Sequence, residues 1–270
     1  MNITVVLPVH EFDEKVEVFL DNAIKSVEKQ TGVEDLPEIV LVYAKRIETQ
    51  ILGYLSSRVF DEKLIIRSVP NENKTDFQSQ INLGAENVNT EYFSILEYDD
   101  EYSTTYFRNA LKYASFYPKT DVFLSLLIET DDHNQAVKLT NETVWAQQFV
   151  GENGEIGFLN INILNQYTDF KLCGALIKKS EFKNLGGLKS NIKLAFNFEF
   201  LLRTLNNASK VFSIPKIGYK HLTVREGSLF DDYLKNMSMG ERKFWFETAK
   251  KEANFLTDRV IDTTSLNKTV

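Results

Sequence analysis

Residues 1 to 100 alternate short, β-branched apolar runs with stretches of helical periodicity, and this alternation constrains the fold more than any other feature. Ile3 to Val9 is a compact apolar run through Pro8, the pattern of a strand buried on both faces. Val16, Phe19, Leu20, Ala23, Ile24 and Val27 then recur at helical spacing across Lys15 to Lys29. Glu38 to Ala44 (EIVLVYA) predicts a second strand, and Ile47, Ile51, Leu52 and Leu55 a second helix. Leu64 to Val69 predicts a third strand, with Phe77, Ile81, Leu83, Ala85 and Val88 as a third helix. Glu91 to Leu96 is the fourth strand and runs directly into Glu97-Tyr98-Asp99-Asp100.

Such an order implies right-handed crossovers and a mostly parallel sheet. Ligands of such sheets bind beyond the carboxyl ends of the strands. Pro8-Val9-His10-Glu11 and Glu97 to Asp100 both lie at such ends. Two polar segments far apart in sequence are therefore expected to converge on one crevice.

Beyond Ser103 the pattern loosens. Tyr106 to Tyr117 reads as a helix and Asp121 to Ile128 as a buried strand. Residues 129 to 169 are polar and irregular, with strand-like pieces at Ala136 to Leu139 and Val144 to Val150 and with Gly151, Gly154 and Gly157 between them. This is the natural place for ligand-binding loops, and Trp145 and Tyr167 there are aromatics able to stack on a ring of a ligand. Phe170 to Ile177 reads as a strand with Cys173 as a buried strand residue, and Phe196 to Leu205 as a short helix. Val211 to Ile214 and Ile217 to Leu222 read as two strands flanking Pro215. One long amphipathic helix is expected from Phe230 to Leu256, carrying Tyr233, Leu234, Met237, Phe244, Phe246 and Ala249. No linker or repeat interrupts the chain, which predicts one domain over residues 1 to 230 and a helical extension, 231 to 270, packed on it.

Composition narrows the function. A net charge of −7 argues against a protein that binds bulk nucleic acid by neutralising phosphates. Cys173 is the only cysteine, which excludes an internal disulfide and a cysteine metal cage. No apolar run is long enough to cross a bilayer, and the start lacks the features of a secretory signal, so a cytoplasmic location is expected.

Glu97, Asp99, Asp100 and Glu101 place several carboxylates at a strand end, where two or three oxygens can face one hard cation. Mg²⁺ or Mn²⁺ held this way offsets the charge of a departing diphosphate. The alternative is a solvated acidic turn beside a helix N-terminus.

Several segments follow one another in an order that is itself informative. Pro8-Val9-His10-Glu11 is followed by a helix containing Leu20 to Gln30, then by Asn82-Leu83-Gly84 and by Phe93 to Asp100. Gly174-Ala175-Leu176-Ile177, Phe182 to Leu188 (FKNLGGL), Phe198 to Arg203, Ile214-Pro215 and Arg225 to Leu229 complete the series. Over residues 3 to 230 this series resembles the family 2 glycosyltransferases. The resemblance implies an α/β fold of GT-A type: a three-layer α/β/α sandwich with a mostly parallel central sheet, here with a C-terminal helical extension. It also implies single-displacement, inverting transfer from a nucleotide-diphosphate sugar, a UDP-sugar first, to an unidentified hydroxyl acceptor. By the same resemblance Pro8, Val9, His10, Glu11, Tyr43 and Asn82 lie beside the nucleotide, with Glu97 and Tyr98 on the ribose side. Asp99 holds Mn²⁺ or Mg²⁺ with Glu97, Asp100 and His221 as its neighbours, and Arg225 grips the diphosphate. For His221 the alternative is a satisfied strand histidine.

Three departures from that pattern matter. Tyr43 and Ala44 stand where the family has a pair of acids that reads the base, so the uracil preference loses its support, and Tyr43 either stacks on a base or simply packs the strand end. Ile81 replaces an arginine. Phe196 and Asn197 replace the Glu-Asp pair whose Asp is the base, and an amide accepts no proton at neutral pH. Glu199 lies two residues later, about 200° further round the helix, and serves as base only if the helix start is displaced. Its alternative is an ion pair with Arg203 at i, i+4. These departures favour a second function: a non-catalytic protein of the same fold that keeps a sugar or protein contact. A sugar nucleotidyltransferase would need a Gly-rich, basic loop after the first strand, and Pro8 to Asp13 has no glycine there.

Overall fold

The structure, a computed structural model, describes residues 2–72, 74, 76–149, 156–223, 225, 228–264 and 266, with backbone alone at 149, 229, 230, 232 and 234. Its first half follows the expected alternation: β1 (Ile3–Val9), α1 (Glu14–Glu28), β2 (Glu38–Ala44), α2 (Glu48–Ser57), β3 (Ile66–Asn71), α3 (Phe77–Asn87) and β4 (Tyr92–Ile95). Asp13 starts α1 by accepting from Val16 N at 2.8 Å, and Asp76 starts α3 by accepting from Ser79 N at 2.9 Å. In α3 a Cβ on Gly84 would lie 2.3 Å from Val6 Cγ1, so only glycine lets that helix rest on β1. The Asn82-Leu83-Gly84 segment is thus a packing device. The Asn82 amide also accepts from Leu188 N at 2.8 Å and donates to Leu188 O at 2.7 Å.

The second half contributes β5 (Glu101–Tyr102), α4 (Tyr106–Phe116), β6 (Val122–Thr130), β7 (Ala136–Thr140), α5 (Ile161–Gln166), β8 (Leu176–Lys178), α6 (Lys179–Asn184), α7 (Phe196–Asn206), β9 (Val211–Leu222), α8 (Leu229–Asn236) and α9 (Met239–Glu252). The strands form one sheet in the order β3-β2-β1-β4-β8-β6-β9-β5, with β7 beside β6. β1, β2, β3, β4, β6 and β9 run one way, while β5, β7 and β8 run the other. Val5, Leu7 and Val9 pack with α1, α2 and α4 on one face, and Val6 packs with α3, α5, α6, α7 and α9 on the other. The result is a three-layer, mostly parallel α/β sandwich.

Four expectations are corrected. Val144 to Phe149 is a 3₁₀ turn, not a strand; residues 150 to 155, with Gly151 and Gly154, lie outside the described residues. Of Phe170 to Ile177 only the end is a strand, because Gly174 takes φ +64° and turns the chain before β8. Asn141 holds that loop by bonding Lys171 through both its amide atoms, at 3.0 and 2.9 Å. Val211 to Leu222 is one strand, with its register against β6 shifting around Ser125 to Leu127. Pro215 supplies no donor, so the strand bulges there and continues. Finally, the expected long helix is two. Ser238 caps α9 by accepting from Glu241 N at 3.2 Å, while Glu241 accepts from Ser238 N at 2.7 Å. Phe230 and Leu234 of the expected amphipathic face lie among the side chains outside the description. Trp245 of α9 is buried, and Phe246 stacks on Phe198 with ring centres 4.7 Å apart.

Candidate functional site

Parallel pairing of β1 with β4 brings the two polar segments together, Leu96 N donating to Val6 O at 3.0 Å just past the last register pair. Tyr98 Oη donates to Glu11 Oε1 at 3.0 Å, and its ring packs 5.5 Å from that of His10. The bulged β9 delivers the third segment. Asp100 Oδ1 accepts from Leu222 N at 2.8 Å, and its Oδ2 lies 2.8 Å from His221 Nδ1. A cavity of about 490 Å³ opens here, lined by Pro8, His10, Glu97, Cys173, His221 and Arg225 together with Asp76, Phe77, Phe196 and Asn197.

Glu97, Cys173 and His221 of this cavity meet Asp100 in a group of ligand atoms. Glu97, Asp100, Cys173 and His221 each offer one, all within 4.8 Å of one another. Burial, reinforced by Asp100, pushes Glu97 up to about 8. Burial also pushes the Cys173 thiol up to about 11. For His221 burial opposes the charged ring, but Asp100 and Cys173 outweigh it and hold the ring well above its usual range. A cation placed among these groups would relieve the crowding of negative charge and deprotonate the thiol. Two carboxylates, an imidazole and a thiol make a donor set that fits a divalent cation, though its nitrogen and sulfur are not the oxygens Mg²⁺ selects.

Asp99 is placed differently from the other acids. Its Oδ2 lies 2.8 Å from Arg225 Nε, and Arg225 Nη2 donates to Tyr98 Oη at 2.7 Å. Burial and Asp100 raise Asp99 to about 6 against the pull of Arg225. The guanidinium is itself buried, with Glu11 4.0 Å away.

Other expected site residues separate into those on the cavity and those away from it. Pro8, His10, Tyr98 and Asn197 line it. Val9 is wholly buried in the sheet. Tyr43 is 1% exposed, its hydroxyl donating to Glu48 Oε1 at 3.2 Å, so it packs the strand end and presents no face to a base. Glu199 is 0% exposed and points away from the cavity into an ion-pair cluster. Its two oxygens accept from Arg203 at 2.8 and 2.9 Å, and Lys189 Nζ lies 3.3 Å away. Arg203 also donates to the carbonyls of Leu185 and Gly187. Glu199 is therefore the structural ion pair and not the base, for the helix starts at Phe196 without displacement. Asn82 has the packing role described above.

Sequence reasoning missed Cys173, Asp76 and Lys171. The glycine after Cys173 was the available sign that the chain turns there. A Cβ at Gly174 would lie 2.5 Å from Tyr219 Cδ2, which fixes the loop that presents the thiol. Asp76 was legible as a helix cap, but not as a cavity carboxylate. Lys171 Nζ pairs with the buried Glu129 at 3.1 Å. Burial works against Glu129, but Lys171 and the hydroxyls of Thr140 and Thr223 hold it at about 2. Trp145 and Tyr167 pack edge-on against each other with ring centres 5.8 Å apart.

No protein-family model matches the sequence. No curated protein matches it either. Among solved structures the chain is similar to S. aureus TarS 1-349 in complex with UDP-GlcNAc, with a TM-score of 0.65 and 15% identity over 93% of this chain and 66% of that one. It is similar also to S. aureus TarS 1-349 in complex with UDP, with a TM-score of 0.57 and 14% identity over 94% of this chain and 72% of that one. A third is S. aureus TarS, with a TM-score of 0.58 and 14% identity, where this chain spans only 46% of the other. The likeness shows an α/β fold of GT-A type.

Proposed function

We propose that the cavity binds a nucleotide-diphosphate sugar, a UDP-sugar first, and that the protein transfers the sugar with inversion to a hydroxyl acceptor. The observation that carries this reading is the convergence of Glu97, Tyr98, Asp99, Arg225 and His221 on one cavity at the carboxyl ends of β1, β4 and β9. The UDP-GlcNAc and UDP complexes of the structurally similar TarS support it. In this reading Arg225 meets the diphosphate with the guanidinium edge not spent on Asp99, a charge-assisted contact. Glu97 and His221, the ring oriented by Asp100, would help hold a divalent ion, which as a Lewis acid would ease departure of the nucleotide diphosphate.

The acceptor hydroxyl still requires a base, and Asn197 accepts no proton. Asp76 is a carboxylate that lines the cavity together with Asn197. It precedes Phe77, whose ring is 5.6 Å from that of Phe196, and all of these residues line the cavity with Asn197. In this reading Asp76 takes the acceptor proton as the new glycosidic bond forms and the bond to the diphosphate breaks. The second reading, a non-catalytic sugar or protein binder, is favoured by the amide at Asn197 and by the missing acids at Tyr43 and Ala44. Calorimetry of the full chain with UDP-sugars, with and without a divalent ion, tests the binding step. Saturable, ion-dependent binding, weakened in Arg225→Ala, is expected, and no binding of any nucleotide-diphosphate sugar would overturn the reading.

A further inference from the structure

The four ligand atoms come from three separate segments: Glu97 and Asp100 follow β4, Cys173 lies in the loop before β8, and His221 is the penultimate residue of β9. Their roles differ. Asp100 is already engaged through both oxygens, by Leu222 N and by His221 Nδ1, each at 2.8 Å. A carboxylate on one ring nitrogen of a histidine leaves the other for a metal and fixes the ring's orientation. A ring nitrogen of His221 lies within 4.8 Å of the Cys173 thiol, which is 4% exposed and lines the cavity. Among the described residues, the Glu97 carboxylate makes no hydrogen bond or ion pair, and it lines the same cavity. The thiol is held in place, since Gly174 takes a left-handed backbone against the Tyr219 ring.

We propose that Cys173, His221 and Glu97 form a three-ligand zinc site, with Asp100 orienting His221 and a fourth position open to the cavity. Thiolate and imidazole donors select Zn²⁺ over Mg²⁺ and Mn²⁺. Three protein ligands with one position open describe a metal that works on a substrate, whereas a structural site closes with four. Coordination forms the zinc–sulfur bond and releases the thiol proton to solvent. The proposal rests on the nucleotide-sugar reading only for the occupant of the fourth position, a diphosphate oxygen.

The test is a Co²⁺ titration of the chelator-treated full chain without nucleotide, followed by absorption. The expected result is one Co²⁺ per chain with a near-ultraviolet thiolate-to-cobalt charge-transfer band, abolished by stoichiometric Zn²⁺ and unaffected by a large excess of Mg²⁺. Cys173→Ser removes the band. Asp100→Asn keeps it and weakens binding roughly 10–100-fold, as for other partners of a metal-bound histidine. Co²⁺ bound without the band, or Mg²⁺ competing on equal terms, overturns the proposal, and the unmodified chain decides this even if a variant fails to fold. Donor binding is measured separately. The band without any donor binding upholds the zinc site and ends the transferase reading; Mg²⁺-dependent donor binding without the band does the reverse.

Discussion

The Asp99 carboxylate lies 2.8 Å from Nε of the buried Arg225, and this pair divides the acidic run Glu97 to Asp100 into two functions. Asp99 orients the guanidinium, while Glu97 and Asp100 face His221 and Cys173. Arg225→Ala is expected to lower donor affinity roughly tenfold to hundredfold, the worth of a charged hydrogen bond. Asp99→Asn is expected to leave metal affinity within a few-fold. Calorimetry checks both, and loss of metal binding in Asp99→Asn would return Asp99 to the ligand set that the family resemblance implies.

Asp76→Asn separates a cap from a base. Asparagine caps a helix as well as aspartate, so the thermal midpoint should stay unchanged. Turnover should fall roughly 10²–10⁴-fold with donor affinity kept. An unchanged rate would remove Asp76 from the reaction.

Glu199→Gln is a stability variant. Removing one partner of a buried ion pair costs roughly 3–5 kcal/mol, here leaving Arg203 and Lys189 short of their counter-charge. Urea denaturation should show that loss, with turnover per folded molecule unaltered. A stable variant with lost turnover would make Glu199 catalytic after all.

Glu129 sets an acid limit. Its folded pKa of about 2 lies below the usual 4.5, so its contribution is complete above about pH 4.5 and is lost as pH falls through about 2. The contribution is on the order of 3 kcal/mol. Glu129→Gln should flatten the stability curve between those pH values in urea titrations at stepped pH. A curve identical to that of the parent would contradict the pairing with Lys171.

Gly174→Ala should destabilise the loop that carries Cys173. A left-handed alanine costs about 1–3 kcal/mol, and its Cβ would also meet the Tyr219 ring. A lowered thermal midpoint checks it, and an unchanged one would mean the loop has another conformation.

The parallel half of the fold was legible because buried strands carry their pattern locally: Ile3 to Val9 and Glu38 to Ala44 form strands over the residues expected. Breaks set by single residues were harder to read. Ser238 ends one helix and caps another, and Pro215 bends a strand without ending it. In the site, the convergence of Pro8–Glu11 with Glu97–Asp100 followed from topology alone. Which acid meets which partner did not, because Arg225, His221 and Cys173 reach the cluster through contacts far apart in sequence. Tyr43 illustrates the same limit, since a strand-end tyrosine reads alike whether its ring is buried or open to a ligand.

The most direct test of the central claim is nucleotide release from a panel of nucleotide-diphosphate sugars, with water standing in for the acceptor and Zn²⁺, Mn²⁺ or Mg²⁺ supplied in turn. The account predicts ion-dependent release of the nucleotide diphosphate from one donor, a uridine donor first, at a rate that falls in Asp76→Asn and Arg225→Ala. Absence of both binding and release for every donor with every ion would contradict it.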